Sequence, residues 1–208
     1  MTNTHASEWL DPDHAQGFLD RREQLPQLEV GYSELLSIVP DNRRRVLDLG
    51  CGDGKVMSLI GGSGVAVDFS PHMLEQARAR FHADDVEVVA HDLNAPLPDL
   101  GTFDLIVSAF AIHHCPHDRK RALYGEVFEL LEPGGMFANL EHVASPTPAL
   151  HSEFLGLIGS SPETEDPSNQ LLAVETQLGW LREIGFAEVE CFWKWRELAL
   201  LAGRKPPV

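Results

Sequence analysis

Three glycines spaced two residues apart follow an acid in the stretch VLDLGCGDGK, where they occupy Gly50, Gly52 and Gly54 after Asp48. Glycine loses more conformational freedom on folding than any other residue, so this density indicates a backbone that turns sharply or that a ligand approaches closely. A dinucleotide fingerprint would place its third glycine one residue later, where this chain has a lysine. The carboxylate before the glycines would repel a pyrophosphate and attract an ammonium group. The stretch therefore favours a ligand with a cationic group over a dinucleotide.

Two further groups of polar side chains end later apolar runs and could take part in proton transfer. The run FDLIVSAFAI is followed by His113 and His114, and the run MFANL is followed by Glu141 and His142. Histidine and glutamate often act as general bases, and both groups are predicted at the same rim of the fold. Packing or loop hydrogen bonding is the alternative for each of the four. The crowded run from His113 to His117 lacks the two separated ligand pairs of a structural zinc site, so we predict no metal.

Helix and strand patterns alternate along the middle of the chain. Buried strands are predicted for RRVLDLG, GVAVDFS, VEVVAHD, FDLIVSAFAI and MFANLEHV. Helices are predicted between them over 55–60, from Ser70 as N-cap to about Phe81, and from Asp118 to Pro133. Such short strand–helix–strand connections predict an α/β doubly wound fold, a mainly parallel sheet with helices on both faces. Ligands of that fold bind beyond the carboxyl ends of the strands, where the glycines and acids are placed.

Segments before and after this core are predicted to cover the site. Residues 1–208 are predicted to form one domain, in which residues 1–40 form a helical cover that is interrupted near Pro26. Residues 144–175 contain one helix among Pro-, Ser- and acid-rich loops and follow the fifth strand, which suits a lid. The chain ends in a helix and two strands, AEVECFWKW and ELALLAGRK, joined by so short a link that they must form an antiparallel hairpin.

Large side chains in the terminal segments are candidates for covering or packing roles. Trp9 can anchor the N-terminal segment over the site. Arg21 or Arg22 can reach a cofactor or an anionic substrate from the first helix, with a surface position as the alternative. Trp193 and Trp195 alternate along the sixth strand, so both indoles face one side, where core packing is expected.

The chain resembles the class I S-adenosylmethionine-dependent methyltransferases at successive strand ends. VLDLGCGDG resembles the first motif of that family, VAVDFSPHML the second, VAHDLNAPLP the third-strand motif, and FDLIVSAFAIHH with LLEPGGMFANLEHV the fourth- and fifth-strand motifs. The resemblance covers about residues 40–143 and implies the Rossmann-like methyltransferase fold, a mostly parallel seven-stranded sheet with an antiparallel last strand. It implies S-adenosyl-L-methionine as the cofactor, with Asp68 on the ribose hydroxyls and Asp92 on the adenine amino group.

The resemblance also implies which residues surround the cofactor. The predicted cofactor-binding residues are Asp48, Gly50, Cys51, Gly52, Asp68, Phe69, Met73, Asp92, Leu93 and Ala109. The cofactor carries an ammonium group, a diol and an adenine edge, so carboxylates at three strand ends fit its chemistry. Asp48 has an alternative role, since its carboxylate can instead hold the glycine loop through backbone N–H groups. The short run between Gly54 and Asp68 departs from the family and leaves room for only about two turns of helix.

Composition restricts the partners of the protein. The 208 residues include 32 acids and 16 bases, a net charge of −16, which makes a nucleic acid an unfavourable partner. No apolar run approaches the ~20 residues of a membrane helix, and the N-terminus lacks the pattern of a secretory signal. Three scattered cysteines suit a reducing compartment. We therefore predict a cytoplasmic protein without a membrane partner, and the sequence leaves a homodimer open.

The resemblance predicts an enzyme that transfers a methyl group from S-adenosylmethionine to a small-molecule acceptor by direct displacement. The protein then mainly aligns the two partners and excludes water, with His113 or His114 as the base if the acceptor carries a proton. A tRNA-modifying enzyme of the same fold is the first alternative, because RREQLP and AIHH have some likeness to carboxymethoxyuridine-type relatives. The second alternative is a module that binds the cofactor without transferring methyl, and a nicotinamide oxidoreductase has the least support.

Overall fold

The computed structural model describes residues 8–22, 24–81 and 85–207, and its centre is a seven-stranded sheet. The strands are β1 (Arg45–Leu49), β2 (Ser63–Asp68), β3 (Val86–Ala90), β4 (Phe103–Ala109), β5 (Leu131–His142), β6 (Ala187–Trp195) and β7 (Leu198–Arg204). Their order across the sheet is β3-β2-β1-β4-β5-β7-β6. Strands β1 to β5 are parallel, and β7 is antiparallel to both of its neighbours. This confirms the predicted doubly wound α/β fold with a reversed last strand.

Helices cover both faces of the sheet. They are α1 (Pro12–Arg22), α2 (Leu28–Ile38), α3 (Lys55–Ile60), α4 (Pro71–Arg80), α5 (His117–Leu130), α6 (Pro148–Leu157) and α7 (Val174–Ile184), with a 3₁₀ turn at Ile112–His114. Val46 of β1 packs with α2 and α3, whereas Leu47 and Leu49 pack with α5 and α7. Because successive β1 residues are buried on opposite faces, the strand is apolar almost throughout, as expected for a parallel strand covered on both sides. None of the helices described is long and apolar enough to cross a membrane.

Two helix boundaries differ from the predicted ones. The apolar spacing of residues 17–39 predicts helix there, whereas the N-terminal helix already begins at Pro12. Helix α5 ends at Leu130, and residues 133–135, predicted to end it, lie within β5 instead. The reason is strand pairing, because Leu131 already pairs with Phe103 of β4 and a register shift then accommodates the two glycines. A turn-forming tripeptide therefore became part of an irregular strand because its neighbours could pair.

The C-terminal hairpin completes the sheet as predicted. Arg196, with a φ of 54°, and Glu197 join β6 to β7, which pairs antiparallel with β5. Trp193 and Trp195 both pack against the apolar cluster on the face that α2 covers, which confirms the expected core packing. The hairpin thus places the buried side chain of Glu197 next to the carboxyl end of β5.

Candidate active site

A cavity lies at the carboxyl ends of β1, β2 and β4, beside the point where the strand order reverses, which is the ligand position typical of this fold. The ten residues predicted to bind the cofactor all line it: Asp48, Gly50, Cys51, Gly52, Asp68, Phe69, Met73, Asp92, Leu93 and Ala109. Of the four candidate bases, His114 lines it and His113, Glu141 and His142 do not. The fold thus brings the predicted cofactor residues together, while their roles in binding stay predictions.

The carboxyl group of Asp48 is fully buried at this cavity, and neither oxygen has a hydrogen-bond partner in the described part of the chain. Burial raises the pKa of Asp48 from 3.8 to about 7, and the nearby backbone of Met57 offsets only part of that rise. The glycine loop (residues 50–54) is held without this acid, because the N–H groups of its first two residues donate to the Val67 carbonyl. The alternative in which Asp48 holds the loop is therefore wrong. A buried carboxyl group without a partner is costly, so the site fits a cationic ligand group.

Glycine is required at positions 50 and 52 of the loop for different structural reasons. Gly50 and Gly52 adopt positive φ values of 69° and 54°, which side chains disfavour. A Cβ at Gly50 would lie 2.2 Å from the Cβ of Ala111, so the glycine loop packs directly on the loop after β4. A Cβ at Gly52 would lie 3.9 Å from the sulfur of Met73, so space beside that backbone is open. Gly50 is needed for loop packing and Gly52 for the backbone conformation.

Asp68 ends β2, and its carboxylate joins the glycine loop to α4. Oδ2 accepts the N–H of Gly52 and Oδ1 accepts the N–H of Ser70, both at 2.9 Å. Ser70 is the N-cap residue of α4, as predicted, but its hydroxyl forms no cap hydrogen bond and has no partner among the described residues. Burial raises the pKa of Asp68, and these N–H bonds oppose the rise. Each oxygen keeps a second lone pair, which a vicinal diol would fill.

Asp92 and Leu93 lie on the same cavity beyond β3. Oδ1 of Asp92 accepts the backbone N–H and the side-chain amide of Asn94, at 2.9 Å and 3.0 Å. Oδ1 of Asn94 is buried and has no partner in the described part of the chain, and the residue lines the cavity. Asn94 was not predicted as a site residue, and its sequence signal is the position two residues after the acid. The free carboxylate oxygen and this amide oxygen are both acceptors for an amino group.

The two histidines of the 3₁₀ turn have different surroundings. His113 is buried away from the cavity, and its Nδ1 lies 2.6 Å from Oε1 of Glu141. His114 lines the cavity, and its Nδ1 lies 2.7 Å from Oγ of Ser168. Burial lowers the pKa of His113 well below 6.5 and that of His114 to about 3, so both are neutral at pH 7. A neutral imidazole can accept a proton, and its position on the cavity makes His114 the better candidate for the base.

Glu141 and His142 belong to polar contacts away from the cavity. Burial raises the pKa of Glu141, and the ammonium group of Lys120 is the largest opposing influence. Nε2 of His142 lies 3.0 Å from Oε2 of the buried Glu197. These contacts agree with the hydrogen-bonding alternative for both residues.

A buried ion pair joins α1 to the glycine loop. Nη1 of Arg22 lies 2.8 Å from Oδ1 of Asp53, and Nη2 of Arg80 lies 2.7 Å from Oδ2. Burial raises the pKa of Asp53, but the two guanidinium groups outweigh it and hold the pKa below its usual value. Arg22 and Trp9 line the cavity, and the Trp9 ring packs 5.3 Å from that of His114. Helix α1 therefore covers the cavity from the side of the glycine loop.

Residues 144–175 are attached to the hairpin through His151. Its Nδ1 lies 3.0 Å from Oε1 of Glu197, and its Nε2 lies 3.0 Å from Oε2 of Glu165. Burial lowers the pKa of His151, but the two carboxylates outweigh it, so the pKa is raised above 6.5. One titratable side chain therefore joins α6, the loop after it and the hairpin. The lid role of residues 144–175 stays a prediction.

Replacing His151 by Gln is expected to remove a pH-dependent attachment of residues 144–175. Because the folded-state pKa of His151 is raised, its contribution is complete below 6.5 and is lost as the pH rises through the folded-state value. Limited proteolysis should cut wild-type residues 158–173 at least about threefold faster at pH 9 than at pH 6, since local opening governs cleavage. His151→Gln should be cut rapidly at both pH values. His117→Gln, exposed on α5, is the control, and equal cleavage of the wild type at both pH values would contradict the attachment.

The described residues favour neither a metal nor a thiol nucleophile. No group of three or more His, Cys, Asp or Glu side chains among them is arranged to hold a metal ion. Burial raises the pKa of the Cys51 and Cys115 thiols, so both are protonated at neutral pH and are poor nucleophiles. The candidate proton acceptors on the cavity are therefore carboxylates and the imidazoles of His91 and His114.

Comparison with known proteins identifies the family. A family model described as a methyltransferase domain matches residues 46–135. A demethylmenaquinone methyltransferase from Clavibacter sepedonicus is 30% identical over 203 residues, which cover 86% of this chain and 81% of the relative. The chain belongs to the class I S-adenosylmethionine-dependent methyltransferases. Another similar protein, 24-methylenesterol C-methyltransferase 2 from Oryza sativa subsp. japonica, is 32% identical over 60% of this methyltransferase and 35% of its own length.

Solved structures share the fold of this methyltransferase at lower identity. An O-methyltransferase family protein from Burkholderia thailandensis aligns with a TM-score of 0.74 at 22% identity over 95% of this chain and 61% of its own. Human N-acetylserotonin methyltransferase in complex with SAM aligns with a TM-score of 0.69 at 17% identity over 99% of this chain and 59% of its own. The methyltransferase thus spans about three fifths of the length of these two proteins. At this identity the likeness concerns the fold.

Besides Asn94, the cavity residues of the methyltransferase that were not predicted from its sequence include Phe18, Tyr32 and Ser168. Phe18 and Tyr32 lie on the two helices of the predicted cover, where helical spacing by itself indicates only packing. Ser168 lies in a loop without a motif. The only sequence signal for these three was the expectation that their segments cover the edge of the sheet.

Proposed function

We propose that this methyltransferase binds S-adenosyl-L-methionine in the cavity beside the glycine loop and transfers the methyl group to a small-molecule acceptor. The observation that carries the proposal is the buried carboxyl group of Asp48, which has no hydrogen-bond partner in the described ranges and shares its cavity with Asp68 and Asp92. Asp48 fits an ammonium group, Asp68 a ribose diol, and Asp92 with Leu93 an adenine edge. When bound, the cofactor supplies an electrophilic methyl group.

The protein's own contribution is alignment, exclusion of water and acceptance of a proton. Helix α1 covers the cavity through the Arg22–Asp53 pair, and residues 144–175 reach it through Ser168. Covering both sides keeps competing water away and holds the reactants in one orientation. Of the two histidines on the cavity, His91 and His114, we assign the proton of the acceptor to His114, because its ring packs against Trp9 in the aromatic wall.

The aromatic lining of the cavity supports a small apolar acceptor. Trp9 packs against Phe18 and His114, and Tyr32 and Phe110 line the same space. Such walls bind flat or apolar molecules, while a few polar groups fix their orientation. The buried indole N–H of Trp9 has no partner among the described residues, so an oxygen of the acceptor would satisfy it. Relatives named for demethylmenaquinone and 24-methylenesterol add support for a small-molecule acceptor.

Asp68→Asn is expected to weaken binding of S-adenosylmethionine by at least about tenfold while the fold is kept. The amide retains one oxygen that can accept a backbone N–H, but it loses the charge and an acceptor for the diol. Isothermal calorimetry on the full chain measures the change. Asp41→Asn removes the same charge from an exposed turn and is the matched control.

Two outcomes would contradict different parts of the proposal. Unchanged affinity in Asp68→Asn would remove the ribose assignment but leave cofactor binding intact. A wild-type melting temperature that does not rise with millimolar S-adenosylmethionine would argue against the binding site itself, because a ligand of the folded state must stabilise it.

A further inference from the structure

Three side chains form a continuous chain of hydrogen bonds from residues 144–175 to the cavity. Nδ1 of His114 lies 2.7 Å from Oγ of Ser168, and that Oγ lies 2.6 Å from Oδ1 of Asp166. Ser168 is buried and lines the cavity together with His114. A loop distant in sequence therefore provides the hydrogen-bond partner of the candidate base.

The direction of the proton in this chain follows from the serine hydroxyl, which has only one proton. Oδ1 of Asp166 also accepts the backbone N–H of Ser168 at 2.8 Å. Burial raises the pKa of Asp166, but the hydrogen bonds from Ser168 outweigh it, so this carboxylate is ionised and can only accept. The hydroxyl therefore donates to Asp166 and must accept from Nδ1–H of His114. Nε2 has no hydrogen bond to any described residue and keeps its lone pair free.

The position of Ser168 is fixed by contacts that do not involve the imidazole of His114. Nζ of the buried Lys120 donates to the carbonyl of Gln170 at 2.9 Å. The N–H of Gln170 donates to the carbonyl of His113 at 2.8 Å. Because the backbone two residues beyond Ser168 is held from two sides, removal of the hydroxyl should leave the loop in place.

Charged and titratable groups of the neighbouring elements act on the two histidines and on the acid of this chain. The groups are His113 of the same turn, Glu141 and His142 of β5, Lys120 of α5, Asp166 of the loop and His14 of α1. Burial and His113 lower the pKa of His114, whereas Asp166 and Glu141 raise it. Of the two carboxylates, Asp166 is the one linked to His114 by hydrogen bonds, so it stabilises an imidazolium most directly.

We propose that Ser168 and Asp166 are positioning residues that hold His114 with Nε2 free to take the proton of a hydroxyl acceptor, an inference that rests on the proposed function. In this step the O–H proton moves to Nε2 and an oxygen electron pair forms the bond to the methyl carbon. The electron pair of the broken C–S bond stays on sulfur. The base is complete only while residues 144–175 cover the cavity, which couples closure to the acceptance of the proton.

The first test is the tautomer of His114 in the full chain, without cofactor or acceptor. Nitrogen-15 NMR of labelled histidine distinguishes protonated from unprotonated ring nitrogens, and His114→Gln assigns the signals. We expect the proton on Nδ1 in the wild type and a mixture of both tautomers in Ser168→Ala. Ser168→Thr keeps the hydroxyl and should keep the wild-type tautomer. Ser152→Ala, exposed on α6, is the matched control.

The second test compares naphthol with thionaphthol, two probes that differ in one atom. The thiol ionises readily and needs no base, whereas the hydroxyl must lose its proton during transfer. Ser168→Ala and Asp166→Asn are expected to lower kcat on naphthol by at least about tenfold, with KM and cofactor affinity within about twofold of wild type. The rate on thionaphthol should not change.

Each other result overturns the proposal. A wild-type proton on Nε2, or an unaltered tautomer in Ser168→Ala, would exclude the positioning role. Equal losses on both probes would indicate general damage to the site. Absence of naphthol methylation by a protein that binds S-adenosylmethionine would exclude the hydroxyl acceptor. Failure of the proposed function is distinguishable, because it is seen as absence of cofactor binding, which the tautomer measurement does not require.

Discussion

Asp48→Asn is expected to raise the melting temperature of the cofactor-free protein at pH 8 and to weaken S-adenosylmethionine binding by at least about 30-fold. At that pH the wild-type carboxyl group, with a pKa of about 7, is ionised, buried and without a partner among the described residues. Its folded-state pKa lies above the unfolded value of 3.8, so its contribution is present below 3.8 and is lost as the pH rises through 7. That loss is on the order of 4 kcal/mol. The amide of Asp48→Asn avoids this loss of stability, which corresponds to a gain in melting temperature of up to roughly 10 °C.

Thermal unfolding at two pH values separates this effect from a change in packing. At pH 5 the folded wild-type carboxyl group is mostly protonated and nearly isosteric with the amide, so the difference between the two melting temperatures should shrink to less than half of its value at pH 8. Asp41→Asn, in an exposed turn, is the control for the change of net charge. A wild type at least as stable as Asp48→Asn at pH 8 would show that the ionised Asp48 carboxylate does not destabilise the cofactor-free protein.

The same carboxyl group predicts a proton release on binding. An ammonium group next to Asp48 favours the ionised form and lowers the pKa from about 7. Binding at pH 6.5 should therefore release protons, and affinity should rise between pH 5.5 and 7. Calorimetry in two buffers of different ionisation enthalpy measures the protons released. In the cofactor-free protein the buried carboxylate of Asp48 thus lowers the stability of the fold, and a bound cation would offset this loss. Such a cost is common where function opposes stability.

The fold and the location of the site follow from local patterns in the sequence. Short strand–helix–strand connections permit few topologies, and the carboxyl ends of parallel strands meet at one edge. Asp48 and Asp68 lie at the carboxyl ends of β1 and β2, and Asp92 follows β3, so their convergence on one cavity could be predicted from the sequence. The near absence of a link before β7 was enough to predict the antiparallel hairpin.

The roles of individual polar groups could not be predicted, because they depend on partners distant in sequence. His113 and His114 are adjacent, yet one binds Glu141 of β5 and the other binds Ser168, 54 residues along the chain. Ser70 is the N-cap residue of α4, yet its hydroxyl forms no cap hydrogen bond, and its backbone N–H donates to Asp68. Sequence pattern identifies such residues as polar and places them at a strand end, but only tertiary structure selects their partners.

Gly50→Ala is expected to cost much more stability than its backbone conformation explains. The added Cβ would lie 2.2 Å from the Cβ of Ala111, so the loops after β1 and β4 would have to separate. Gly61 also has a positive φ, 71° with ψ 179°, and no atom within 4 Å of its Cβ position, so Gly61→Ala measures a conformational cost without a steric contact. We expect about 1–3 kcal/mol for Gly61→Ala. The contact with Ala111 should add about 1–3 kcal/mol in Gly50→Ala.

Removal of the Ala111 side chain should reverse the extra loss of stability in Gly50→Ala. In Gly50→Ala with Ala111→Gly the space for a Cβ is restored, so the loss should return to about that of Gly61→Ala, a coupling of about 1–3 kcal/mol. Urea unfolding of the four variants of this cycle measures the coupling, and calorimetry follows S-adenosylmethionine binding in parallel. The affinity for S-adenosylmethionine should fall in Gly50→Ala and recover in Gly50→Ala with Ala111→Gly, because both loops line the cavity. Additive losses would mean that the two loops are not in contact in solution, and the cavity wall between Gly50 and Ala111 would then have to be reassigned.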